Sequence, residues 1–106
     1  MPGVARKGDA VNTVHGAVGG RRCNAAPTTT STNESSGDVF VNGIPVIRAG
    51  DAVTSHNNGS SCAPHAPGLA SFSATVFVNG KNLGRIGDAY GCGATITAGS
   101  ATVICG

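Results

Sequence analysis

Residues 39–43 and 76–80 spell the same pentapeptide, Val-Phe-Val-Asn-Gly, and each copy is followed at a matched distance by an Arg and then by Gly-Asp. Arg48 and Arg85 each stand three residues before an Asp, Asp51 and Asp88, so the aligned unit reads F-V-N-G-x-x-x-x-R-x-G-D. Partial copies lie at the two ends. Arg6 precedes Asp9 by the same spacing, and Ala101-Thr102-Val103-Ile104-Cys105 follows the pattern of Ala74-Thr75-Val76-Phe77-Val78. A repeat split between the termini constrains the fold strongly, because the first and last segments each lack a partner strand unless they meet. Three similar units, one closed by both ends of the chain, predict a pseudo-threefold body.

The units themselves read as β-hairpins. Asn42-Gly43 and Asn79-Gly80 sit between β-rich runs, and Asn-Gly favours the two-residue type I′ turn, in which both residues need positive φ. Composition agrees with an all-β class. Glycine is abundant at 17 residues, valine is frequent, and the helix formers Leu, Lys, Glu and Gln are nearly absent, with Leu69, Leu83, Lys7, Lys81 and Glu34 their only examples. Period two places Val39, Val41, Val76, Val78, Val103 and Cys105 on the inward face as the expected core. At 106 residues the chain is most simply one domain spanning 1–106. Residues 10–37 read as a long connection without helical or strand period, with a polar loop at 16–37.

A formal charge of +2 with few charged residues leaves no basic patch for nucleic acid. No apolar run approaches the roughly 20 residues of a membrane span, and Met1-Pro2-Gly3-Val4 begins without the apolar stretch of a signal peptide. The four cysteines therefore read better as metal ligands or free thiols than as disulfides.

One candidate ligand follows each Gly-Asp at nearly constant distance: His15 after Asp9, His56 after Asp51 and Cys92 after Asp88. Under pseudo-threefold symmetry these meet at one end of the axis, and His65 lies near enough in sequence to His56 to return to the same point. Three imidazoles and a thiolate suit a tetrahedral Zn²⁺, with iron as the competing ion. Cys62, in Cys62-Ala63-Pro64-His65, competes with His65 or Cys92 for a place, whereas Cys23 reads as a free thiol and Cys105 as a small apolar filler. Four protein ligands leave no open position for water, so the site reads as structural and the chain as no enzyme. The carboxylates of Asp9, Asp51 and Asp88 are expected to cap their turns and pair with the Arg three residues back.

With repeat and ligand register in place, the chain resembles the PAAR-repeat proteins. The resemblance rests on Val39–Gly43, Pro45-Val46-Ile47-Arg48, Gly50-Asp51, Val76–Gly80, Gly84-Arg85-Ile86-Gly87-Asp88 and Gly99-Ser100-Ala101-Thr102-Val103. Of the name-giving Pro-Ala-Ala-Arg, only the Arg is kept in all three units. The resemblance implies a small pointed β cone with zinc near its apex, held by three His and one Cys that map onto His15, His56, His65 and Cys92. It implies a broad base seated on the trimeric β-helical central spike of a contractile injection machine, VgrG-type or phage tail spike, one chain per trimer. The sharp end would meet the target cell envelope first. The machine would be a type VI secretion system or a phage tail, the bare domain with its long first loop leaning slightly to the phage. That places the protein at a virion tail tip, or in the bacterial cytoplasm before export through the machine. The chain stops at Gly106 just after the terminal strand, so any cargo is expected on a separate polypeptide. Two other readings compete: an independent zinc-stabilised binding or adhesion module, and a small zinc hydrolase, for which Glu34 would be the sole glutamate available as a base.

Overall fold

Two Asn-Gly turns set the local structure. In the computed structural model, which describes residues 2–13, 29–57 and 64–106, Asn42 and Gly43 have φ of 55° and 76°, and Asn79 and Gly80 have 54° and 77°. These are the left-handed values of a type I′ turn, which match the twist of the strands they join. Among the described residues there is no helix, and the strands are short: β1 Ala10–Asn12, β2 Thr29–Ser31, β3 Phe40–Val41, β4 Ile44–Pro45, β5 His56–Asn57, β6 Pro64–His65, β7 Phe77–Val78, β8 Lys81–Asn82 and β9 Thr95–Ile96. β3 pairs with β4 and β7 with β8, both antiparallel.

The termini rebuild the third hairpin. Gly3 bridges Ile104, the Val4 N–H donates to Val103 O at 3.0 Å, and the Cys105 N–H donates to Pro2 O at 3.0 Å. The same bond recurs as Val46 N–H to Val39 O (3.1 Å) and Leu83 N–H to Val76 O (2.9 Å). The three units then close on one another. Ala5 N–H donates to Gly84 O (3.0 Å), Gly84 N–H to Ile47 O (2.8 Å) and Ile47 N–H to Ala5 O (3.1 Å), a cycle of backbone bonds around a pseudo-threefold axis. A second cycle runs outside it, through Lys7 to Pro45, Ala49 to Asn82 and Ile86 to Gly3. Each unit thereby satisfies the strand edge of the next, as buried backbone requires.

Past this ring each unit makes the same turn. Asp9, Asp51 and Asp88 donate their N–H to the carbonyls of Arg6, Arg48 and Arg85 at 3.1, 3.0 and 3.1 Å. The intervening Gly8, Gly50 and Gly87 have φ of 90°, 82° and 93°, the third position of a type II turn, which glycine fills without strain. Each carboxylate accepts from the Arg backbone N–H and from two guanidinium nitrogens, as in Arg48 N–H (2.9 Å), Nε (2.9 Å) and Nη2 (3.1 Å) to Asp51. The expectation for these aspartates holds in all three copies.

The core departs from the period-two expectation. Val78 and Cys105 are buried, but Val39, Val41 and Val76 are only half-buried and Val103 is exposed. The axis is lined instead by the strand that enters each ring: Val4 and Ala5, Val46 and Ile47, and Leu83. Beyond the Asp turns a second cluster forms from Val11, Val53, Tyr90, Leu69, Ala94 and Ile96. The first strand of every hairpin lies outside the ring, so of its inward side chains only Val78 and Cys105 are covered, while Val39, Val41 and Val76 pack against the cluster from its rim.

The described parts of the long connection, 10–13 and 29–37, contain strand that its composition does not advertise. β1 pairs with β2 on one side and β9 on the other, giving the order β2-β1-β9, and Thr32 is buried against a bridge to Val53. Part of the stretch read as polar loop, residues 16–37, is thus sheet, its β-branched threonines serving as strand formers.

Candidate metal centre

β5 and β6 form an antiparallel pair whose register sets His56 directly opposite His65. Their rings meet edge to face, centroids 4.5 Å apart at 81°, with the two Nε2 atoms 2.9 Å apart. His56 is 7 % exposed, and its Nδ1 lies 2.8 Å from Thr54 O. A carbonyl only accepts, so that contact puts the proton on Nδ1 and leaves the Nε2 lone pair facing His65, the tautomer a metal requires. Cys92 reaches the same point from the turn at Tyr90–Gly93, which is closed by Gly93 N–H to Tyr90 O (2.9 Å) and Tyr90 N–H to Ala94 O (2.8 Å). That turn is tied to the second unit by Gly91 N–H to Gly68 O (3.1 Å) and by the Leu69–Tyr90 bridge.

The donor atoms of His56, His65 and Cys92 all lie within 4.8 Å of one another. Two imidazole nitrogens and a thiol sulfur converging on one point could hold a metal ion, and the donor types suit zinc or another borderline-soft ion. Two nitrogens on a tetrahedral zinc stand about 3.3 Å apart, from Zn–N bonds of about 2.0 Å, so the observed separation needs only slight opening. Spacing alone constrained His65 least, yet the cross-strand register places it opposite His56. His15 lies outside the described residues, as do Cys62 and Cys23. Cys105 packs in the other cluster with Val4 and Val78, and burial pushes its thiol above its ordinary value.

Two features of the framework escaped the sequence reading. Ser36, Ser73 and Ser100 are buried, and each hydroxyl accepts the N–H groups two and three residues on: Asp38 and Val39, Thr75 and Val76, Thr102 and Val103. The signal was present as Ser-x-x-Val in every unit. The other is Tyr90, 2 % exposed, whose hydroxyl finds no hydrogen-bond partner among the described residues.

The family described as PAAR motif matches residues 3–98, a span holding both Asn-Gly hairpins, all three Arg-x-Gly-Asp turns and every histidine. The chain belongs to the PAAR-motif family. No curated protein matches it. PAAR membership accounts for the split repeat and for the convergence of loop ligands past the turns, and it supports a spike-tip role in contractile injection systems. The PAAR family is a structural one.

Proposed function

We propose that this protein is the zinc-stabilised tip that caps a trimeric central spike in a contractile injection machine, one chain per trimer. The observation that carries the reading is the closed cycle through Ala5, Gly84 and Ile47, which gives a single polypeptide three similar faces. At the hairpin end, Phe40, Phe77 and Ile104 hold equivalent positions and are 53 %, 59 % and 55 % exposed. Three apolar side chains related by a pseudo-threefold axis suit a true threefold partner. The whole of 1–106 acts as one PAAR-type domain, and the tip travels with its machine, at a phage tail tip or through a type VI secretion apparatus, to meet the target envelope.

His15, His56, His65 and Cys92 would hold the zinc. A filled tetrahedral set supplies cross-linking of loops rather than an activated water, so the role is mechanical and the chain no enzyme. Elemental mass spectrometry of protein purified without chelator should give one zinc per chain. His56→Ala and Cys92→Ala should lose it, with a lower Tm, and His15→Ala tests the fourth ligand. Size-exclusion chromatography with the candidate spike should show one chain per trimer, and Phe40→Asp/Phe77→Asp should abolish the complex. Zinc-loaded, folded protein that fails to bind any such trimer would sink the cap while leaving the metal site standing.

A further inference from the structure

Lys7 and Lys81 are the only lysines in the chain, and both line one groove of about 590 Å³ on the flank of the second unit. The pseudo-threefold mates of Lys7 are Ala49 and Ile86, and those of Lys81 are Ile44 and Pro2, as the backbone cycles and hairpin registers define them. None of these mates carries an ammonium group, so the pair of lysines is peculiar to this flank.

Its other charges are already committed. Arg48 spends its guanidinium on Asp51, on Ser35 O (3.2 Å) and on Asn79 Oδ1 (3.3 Å). Glu34 Oε1 accepts the Ala52 N–H at 2.8 Å. Lys7 and Lys81 form no ion pair among the described residues. The groove, lined also by Asn33, Ser35, Ser36 and Gly37, thus offers two cations that are not in an ion pair among the described residues.

We infer that this groove docks a carboxylate-rich segment of a partner protein, the two ammonium groups each meeting a carboxylate. Isolated carboxylates along a peptide fit better than a dense run of phosphates, because Glu34 and Asp51 border the groove and the chain's net charge is only +2. Phe40, Phe77 and Ile104 do not line the groove, although Pro45 and Lys81 sit opposite Phe40 and Val78 in their hairpins; the inference rests on the two lysines and does not require the spike reading. It also breaks the pseudo-symmetry: a partner held here takes one of three orientations and binds once per chain.

The test is titration of ¹⁵N-labelled full-length protein with hexaglutamate peptide, read by amide chemical shifts. Saturable shifts should cluster at Lys7, Ser35, Gly37 and Lys81 and spare Ala49 and Ile86. Lys7→Gln and Lys81→Gln, folded by their own spectra, should each weaken binding roughly two- to fivefold, with Lys→Arg restoring it and added salt weakening it. Equal shifts on all three flanks, unchanged binding by the double Gln variant, or the same shifts from inorganic phosphate at matched ionic strength would each overturn the proposal.

Discussion

Asp51 and Asp88 show how much a single side chain does in a fold with so little regular structure. Each is 4 % exposed and gathers three N–H donors from its own Arg, and that hydrogen bonding raises the Arg pKa in turn. Truncation strands a backbone N–H and a guanidinium together, and hydrogen bonds to charged groups contribute about 1.5–3 kcal/mol. Asp51→Ala and Asp88→Ala should each cost about 2 kcal/mol in urea unfolding, and Asp9→Ala less, because the Asp9 side chain is 11 % exposed against 5 % for the other two. Equal losses at all three sites would deny burial that weight. Tyr90 works in the opposite direction. Its hydroxyl is buried without a partner among the described residues, so Tyr90→Phe should gain about 1 kcal/mol, whereas a loss of that size would reveal a partner outside them. Burial, and then the negative charge of Asp51, push the Tyr90 pKa well above 10.0. The unfolded chain therefore releases this proton first, so stability is intact below the ordinary value and declines as pH rises past it. The melting temperature should fall above pH 10.0 in the parent and fall less in Tyr90→Phe.

At the scale of the element, the distinction is between glycines that need a conformation and glycines that need space. Gly80 has φ of 77° and nothing within 4 Å of an added Cβ, so Gly80→Ala should cost about 1 kcal/mol through backbone strain alone. At Gly84 the same Cβ would meet Leu69 Cδ2 at 2.8 Å and Ile47 O at 3.2 Å. The second contact is the carbonyl that closes the ring, so Gly84→Ala should cost more, about 1–3 kcal/mol. Urea midpoints of the two variants check the order. This contrast also marks what the sequence could reveal. The hairpins were legible because an Asn-Gly turn is a local device, and the Asp–Arg pairs because they span three residues. The pairing of β1 with β2 and β9 was not, since it joins segments far apart with no period to advertise the match. The core was misjudged at Val103 and half-judged at Val39, Val41 and Val76 because period two reports alternation, not which strand lies nearest the axis. At the candidate site His56 and Cys92 were legible from the repeat register. The partnership of His65 with His56 came from cross-strand pairing that spacing leaves open.

The molecule as a whole is divided along its axis. The base cluster of Val4, Val46, Val78, Leu83 and Cys105 sits with the three hairpins, whereas the cluster of Val11, Val53, Leu69, Tyr90 and Ile96 borders Cys92. The ring of Ala5, Ile47 and Gly84 couples the two through backbone bonds that are independent of the loops carrying the ligands. Loop closure is the entropy that a bound metal offsets, so its removal should act unevenly. Chelation of the metal-loaded protein should accelerate amide hydrogen exchange most at Val53 and Tyr90, whose N–H groups bond to Pro67 O and Ala94 O beside the ligand loops. The ring amides of Ala5, Ile47 and Gly84 should remain protected, because local opening draws on the least supported contacts first. Uniform acceleration across ring and loops would mean that the metal holds the whole fold and that the base cannot stand alone. Selective acceleration would mean that the base is a stable platform and that the metal serves the end of the molecule beyond the turns, the division expected of a tip that must stay seated while its point bears load.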